Sequence, residues 1–310
     1  MKIRSLAAVL GAAALTASLA ACGDDSSDSA AASGGSGGSS SVCPDGSLTF
    51  GVEPYEDAKN LTPVYETIGK ALGDELGCDV KVQITESYVA EILAMKNGKL
   101  DIGQFGPLGF VFASREAKAI PVASFADKNG QLSTYTAGIW VKKGSPITSV
   151  KDLAGHTLAL AESGSTSGDA LPRQALVDAG VDKDVKTMYA GGHPEAQLAL
   201  IHGKVDAAEI NSQQVASSEE SGTFDPSDYT QIWKSDPIAN DPITVSPDLS
   251  ADAQKKITDA LLNLPKSAVA PIGQYLDFTS PDKPLIAVDQ STYQPLFDLA
   301  DSLGLTDKDL

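Results

Sequence analysis

Three hydroxyl side chains stand in a row at Ser165, Thr166 and Ser167, with Gly164 before them and Gly168 after, inside AESGSTSGDALPR (161–173). The segment follows a strand-like apolar run, HTLALAE, and precedes a helical one. The first N–H groups of a helix have no intrahelical partner, and with the helix dipole they favour negative charge. Hydroxyls add donors that stay protonated at any physiological pH. Such a loop suits an anion; the alternative is a plain N-cap, for which one hydroxyl is enough. A second strand–glycine–helix corner lies in YAGGHPEAQLAL. Gly191 and Gly192 end the strand, and Pro194 suits a first helical turn. His193 then stands at the positive helix end, where it donates to an oxyanion or gains charge as one arrives; a packing histidine is the alternative. Tyr88 marks a third corner, and Phe105-Gly106 a fourth. Tyr88 offers an O–H donor and a ring wall, or else caps the core as a boundary aromatic.

These corners belong to an alternation of strand and helix signals. SLTFGVE, DVKVQIT, LDIGQF and AIPVASFA read as strands. Between them lie helices at 61–76, with Thr62-Pro63 at its start, at 88–96, ending on Asn97-Gly98, and in GPLGFVFASREAK. STYTAGIWVKKGSP reads as one long strand leaving this unit. The pattern then restarts: HTLALAE, VKTMYA, VDAAEI and TQIWKS as strands, with helices at 170–179, 194–202 and 211–217, and later near 251–264 and 294–303. Repeated strand–helix–strand units imply an α/β fold with mostly parallel sheets covered on both faces. Two lobes are expected: 46–130 plus 237–310, and 131–236. The chain crosses between them near 133–137 and 235–241, which permits hinge bending. Ligands of open α/β sheets sit at strand carboxyl ends near helix N-termini, so two facing edges make a cleft. Tyr135 on the first crossing and Asp241 on the second lie near that cleft by topology.

The chain carries 41 acidic and 23 basic residues, a net charge of −18. That argues against nucleic acid, which needs basic patches, but not against a small anion held by local N–H groups. Serines abound, yet no G-x-S-x-G elbow appears and there are three histidines in all, so an enzyme is not expected. Nothing calls for a metal or a cofactor. The first residues, MKIR followed by SLAAVLGAAALTASLA, read as a secretory signal over 1–21 rather than a membrane span. Leu19-Ala20-Ala21-Cys22 resembles the lipobox of bacterial lipoproteins, which marks Cys22 for lipidation; an ordinary signal peptide with an incidental cysteine is the alternative. Residues 22–45, rich in Ser, Gly, Ala and Asp, then form a flexible tether, and the protein is expected to work as a monomer on the outer face of the cytoplasmic membrane. Cys43 and Cys78 precede the first two strands. If those strands are neighbours the two cysteines can pair, which an exported location permits; two free buried thiols are the alternative.

Four segments occur in an order known from one family: YVAEILAMKNGKLDIGQFGP, STSGDALP, GGHPEAQLALIHGKVD and WKSDPIANDP. Over roughly 47–264 the chain resembles the substrate-binding component of phosphate/phosphite/phosphonate ABC transporters. The resemblance implies a two-lobed periplasmic-binding-protein fold (type II) that closes on its ligand, with an ABC permease as partner. By motif, Ser165, Thr166 and Ser167 would bind the phosphonyl oxygens, and Tyr88, Tyr135 and His193 would complete the shell. Asp241 matches a family acid; as an acceptor for a protonated P–OH it would reject sulfonate-like anions. Members that take aminoalkylphosphonates carry a carboxylate for the ammonium group where this chain has Gln213, and an amide cannot neutralise an ammonium. The implied ligand therefore lacks an amine: phosphite, a small alkylphosphonate or phosphate. Glu209 or Asp206 would supply the charge if the register shifts. A sulfonate or other small organic anion, and a sensor role on the same scaffold, stay open at this level.

Overall fold

The computed structural model describes residues 42–43 and 46–306. The expected leader (1–21), the lipidation site Cys22 and all but residues 42–43 of the expected tether lie outside the described residues. In chain order, β1 (Ser47–Val52), α1 (Ala58–Leu76), β2 (Asp79–Ile84), α2 (Tyr88–Lys96), β3 (Ile102–Gln104), α3 (Pro107–Ala117) and β4 (Ile120–Phe125) come first. β5 (Thr134–Tyr135) and β6 (Gly138–Lys142) lead into β7 (Thr157–Leu160), α4 (Leu171–Ala179), β8 (Lys186–Tyr189), α5 (His193–Ile201), β9 (Ala207–Glu209), α6 (Ser212–Glu220) and β10 (Tyr229–Lys234). β11 (Ile238–Ala239) and β12 (Ile243–Val245) then return, followed by α7 (Ala251–Leu262), α8 (Lys266–Val269), α9 (Gly273–Leu276), β13 (Leu285–Ala287) and α10 (Gln294–Ser302).

Two main sheets result, ordered β13-β4-β12-β3-β1-β2 and β10-β6-β9-β7-β8, with β5 and β11 paired as a separate two-stranded ribbon. Strand–helix–strand units give the parallel pairs β1–β2, β1–β3, β7–β8 and β7–β9. The strands at and beyond the crossings give antiparallel ones: β12 lies between β3 and β4, β13 edges the same sheet, and β6 joins β9 and β10. The sheets are thus mixed, because a chain that leaves a sheet and returns re-enters it in the opposite sense. The long strand expected over STYTAGIWVKKGSP is also two strands, broken at Thr136-Ala137. Its first piece pairs with β11 in the crossing ribbon and its second with β9 and β10.

Helix α1 starts a turn earlier than its proline suggested. Asp57 caps it, accepting from Lys59 N at 3.0 Å, and Pro63 lies inside. The start signal is the acid rather than the proline, since an N-cap side chain satisfies a donor that nothing else can. The helix ends on left-handed Gly77. Its buried residues Leu61, Val64, Tyr65, Ile68 and Leu72 recur at helical spacing and face the six-stranded sheet. Each fully buried aliphatic side chain there is worth about 1.5–3 kcal/mol. Cys43 and Cys78 are joined by a disulfide across a sequence separation of 35, at the starts of neighbouring β1 and β2. Among the described residues no helix is long and apolar enough to cross a membrane.

Candidate functional site

The two sheet units meet around a cavity of about 30 Å³, measured as the space that the centre of a water-sized sphere can occupy. Tyr88, Tyr135, Ser165, Thr166, Ser167, His193, Gln213 and Asp241 all line it, so every ligand contact named from the sequence reaches one place. Glu53, Gly106 and Asn211 line it too.

The hydroxyl loop is a cap and something more. Ser165 closes the turn by accepting Gly168 N–H at 3.1 Å. Residues Thr166–Ala170 form a wide π-turn before α4, a deformation that recurs at functional sites. Asp169 fixes the turn from behind: its carboxylate accepts from Gly164 N at 3.1 Å and from the Tyr189 hydroxyl at 2.8 Å. Asn211 Nδ2 donates to Ser167 Oγ at 3.1 Å. Gly168 is needed because a Cβ there would stand 2.5 Å from Ala161 Cβ and 2.9 Å from the His193 ring.

His193 is the first residue of α5 rather than the residue before it, with Gly192 as N-cap. Its side chain is 7% exposed. Nδ1 lies 2.9 Å from Glu209 Oε2, and Nε2 lies 3.4 Å from Ser165 Oγ. Burial alone would push the imidazole pKa down. The Glu209 charge and its hydrogen bond outweigh that, and with Asp241 they raise the pKa above the ordinary histidine value. The imidazole on this wall is thereby biased towards its cationic form, and it is aligned by a Glu209 side chain that is itself fully buried.

Across the cavity stand the carboxyl groups of Asp241 and Glu53. Burial pushes the Asp241 pKa up to about 7, against the lowering influence of the Gln104 amide, which donates to Oδ2 at 3.3 Å, and of His193. The Tyr88 and Tyr135 phenols are pushed well up by burial and by the Glu53 and Asp241 charges, so both remain O–H donors. Several hydrogen bonds tie the units together beside the cavity. Leu108 N donates to Thr166 Oγ1 at 2.8 Å, Tyr88 N to Glu162 Oε1 at 3.3 Å, and Gln213 Nε2 to the Leu276 carbonyl at 3.1 Å. The Thr166 hydroxyl oxygen thus accepts from the backbone, which leaves its proton for the cavity. Among the described residues no group of three or more His, Cys, Asp or Glu side chains is placed to hold a metal ion.

A family model described as ABC transporter, phosphonate, periplasmic substrate-binding protein matches residues 50–293. The chain belongs to that family. The phosphate-import protein PhnD of Mycolicibacterium smegmatis is 29% identical over 205 residues, 62% of this chain and 64% of that protein. The phosphonates-binding periplasmic protein of Escherichia coli is 27% identical over 227 residues, 71% and 67% respectively. The matched region thus spans about two thirds of the length of these curated relatives. PhnD1 of Prochlorococcus marinus, solved in complex with methylphosphonate, shares the fold with a TM-score of 0.74 at 21% identity, covering 84% of this chain and 99% of that one. These likenesses place the chain among type II periplasmic binding proteins.

The two acids that a shifted register would have offered in place of Gln213 do not line the cavity. Glu209 does not offer its carboxylate to the cavity, because it pairs with His193 behind the wall. Asp206 lies outside, holding Thr157 through its backbone N–H at 2.9 Å and its hydroxyl at 2.8 Å. Gln213 does line the cavity, but its amide nitrogen is engaged by Asn240 Oδ1 and the Leu276 carbonyl. Glu53 and Asn211 escaped the sequence reading. Both sit just past strand carboxyl ends, those of β1 and β9, and the strand-end rule applied to every strand would have found them.

Proposed function

We propose that this protein captures a small phosphorus oxyanion (phosphite, a short alkylphosphonate or phosphate) outside the cytoplasm and delivers it to an ABC permease. One arrangement carries the reading: consecutive hydroxyls at a helix start and His193, whose pKa is raised, line one small cavity together with Asp241. The hydroxyl loop and His193 supply donors to charged oxygens, each bond worth about 1.5–3 kcal/mol in a dry site. Asp241 is the acceptor for a P–OH. A sulfonate has no proton to give it, so acceptor would face acceptor. The Gln213 amide offers no charge to an ammonium group, which favours ligands without an amine.

Contacts made from both units only when they meet make ligand-driven closure the mechanism of capture. Binding and release, not catalysis, is the activity. We further propose that Cys22 is lipidated after removal of residues 1–21, and that 22–45 tether the monomeric binding unit to the membrane surface near its permease. The lobe boundaries expected from the sequence, 46–130 plus 237–310 and 131–236, are the bodies that would rotate.

A thermal-shift and calorimetry panel tests the reading: phosphite, methylphosphonate, phosphate, 2-aminoethylphosphonate and methanesulfonate against the purified protein. A phosphorus oxyanion without an amine should bind tightest. Preference for methanesulfonate would overturn it. For the anchor, Cys22→Ala should move the protein from the membrane fraction to the medium, and an unchanged distribution would refute lipidation.

A further inference from the structure

Glu53 is the side chain that an anion site should not contain. It is 3% exposed and lines the cavity. Sheet register carries it there: Val52 pairs with Gln104, and Gln104 with Ile243, so Glu53, Gly106 and Asp241 share one sheet edge. The carboxyl is seated deliberately. Glu53 Oε2 accepts the Gly106 N–H, and a Cβ at position 106 would lie 2.7 and 2.8 Å from the two carboxyl oxygens. Only glycine lets it approach. No lysine or arginine is among the lining residues, and the charge of His193 is already matched by Glu209. Two like unit charges 4 Å apart repel by about 4 kcal/mol at an effective dielectric constant of 20. Two carboxylates and an oxyanion in one small cavity would therefore be strongly disfavoured, and a proton has to stay on this wall when the ligand enters.

We propose that Glu53 is a specificity-determining residue held as a neutral carboxylic acid, anchored by the Gly106 N–H and donating its O–H to the bound oxyanion, while Asp241 beside it accepts. The wall then gives one hydrogen bond and takes one, which matches a singly protonated phosphorus oxyanion. This role rests on the reading of the cavity as a phosphorus-oxyanion site. The groups that face Glu53 agree with it. Asp241 ahead of β12, Glu91 on α2 and Glu162 past β7 are all acids, and Tyr55, Tyr88 and Tyr135 are phenols. Burial, then the Asp241 and Glu91 charges, hold the Glu53 pKa well above the usual carboxyl range, and the Gly106 bond offsets only part of this.

The test is calorimetry of wild type, Glu53→Gln and Glu53→Ala with phosphite, each from about pH 5.5 to about pH 8.5; taking the ratio of variants cancels the ligand's own titration. Glu53→Gln keeps a neutral donor at every pH. It should bind within a few-fold of wild type at about pH 5.5 and no more weakly than wild type at about pH 8.5. Glu53→Ala should be weaker by roughly tenfold at the lower pH. Titrations of wild type and Glu53→Gln in two buffers of different ionisation enthalpy should show that wild type releases no proton on binding beyond what Glu53→Gln releases; that measurement does not need the alanine variant to fold. With phosphite binding intact, Glu53→Ala binding as tightly as wild type at about pH 5.5, or wild type releasing a proton on binding that Glu53→Gln does not release, overturns the role of Glu53 alone. Failure of every phosphorus oxyanion to bind wild type overturns the cavity reading and this role together. Tighter binding of 2-aminoethylphosphonate than of methylphosphonate, lost in Glu53→Gln, would make Glu53 an ionised partner for ammonium and overturn its assignment as a donor.

Discussion

On the five-stranded side, the cavity wall is made of hydroxyls, side-chain amides and an imidazole raised towards its cationic form by Glu209. The six-stranded side presents Glu53 and Asp241, with Glu91 buried behind them. One wall supplies donors and positive charge; the other supplies carboxyl groups that burial drives towards the neutral form. Affinity and selectivity are thereby separated. On the proposed function, the donor wall would attract any small oxyanion, and the acid wall would ask whether that oxyanion carries a proton. A chain of net charge −18 could hold an anion in this way: the balance is set within a few ångströms, not by the sum over the surface.

The largest effect should come from the donor wall. His193→Gln is expected to weaken phosphite binding by more than about a hundredfold, since a charge-assisted donor is lost. It also leaves the Glu209 carboxylate buried without its cation, which costs about 3–5 kcal/mol of stability. The double variant His193→Gln/Glu209→Gln separates the two: urea denaturation should recover most of the stability while calorimetry shows affinity still lost. Recovery of affinity as well would mean that the imidazole charge is not what the ligand meets. Next comes Thr166→Ala, at about ten- to a hundredfold in Kd, because one hydroxyl both faces the cavity and accepts the Leu108 N–H that bridges the units. An unchanged Kd would remove the loop from the site.

The acid wall should answer in pH rather than in raw affinity. Asp241 has its pKa pushed up to about 7 by burial. As pH rises through that value a carboxylate forms, which tolerates only a ligand that still carries a proton. Asp241→Asn should therefore flatten the fall of affinity above about pH 7 and admit methanesulfonate several-fold better. An unaltered pH profile would count against the acceptor role.

What could be read from the sequence divides along the same two walls. The donor wall was legible because its signals are local: three hydroxyls between glycines, and a Gly-Gly-His-Pro corner, each just after an apolar run. Helix α2 was legible to the residue because Ser87 caps it and Asn97-Gly98 ends it. The acid wall was not. Asp241 was reached only through its place on a crossing and a family motif, and Glu53 not at all. In a chain with 41 acidic residues nothing local marks the one carboxyl that becomes buried. Its burial depends on Gly106, more than fifty residues away, and on β12 returning between β3 and β4. The antiparallel insertion of β12 and the helical segment from Lys266 to Leu276 were missed for the same reason. Each is dictated by tertiary packing rather than by a pattern along the chain.

Glu91 yields the smallest effect and the sharpest test of the difference between the walls. Its carboxyl is 0% exposed, and neither oxygen has a hydrogen-bond partner of good geometry. Burial, then the Asp241 charge, raises its pKa well above the usual carboxyl range, and the nearby Gln104 backbone lowers it only in part. A carboxyl whose pKa is raised on folding binds more protons folded than unfolded once the pH passes its unfolded value near 4.3. Stability then falls as pH rises towards the folded value. Glu91 thus penalises the folded state most in alkaline solution, without touching ligand. Glu91→Met, of similar length and apolar, should stabilise the protein by about 1–3 kcal/mol near pH 8 and by less near pH 5. Phosphite affinity near neutral pH should change by less than a few-fold. With one negative neighbour gone, Glu53 and Asp241 should lose their protons at lower pH, so the alkaline decline in affinity should begin earlier. Urea denaturation at the two pH values and calorimetry across them measure both effects. Destabilisation of equal size at both would mean that Glu91 is a packing residue with no part in the proton balance of the wall.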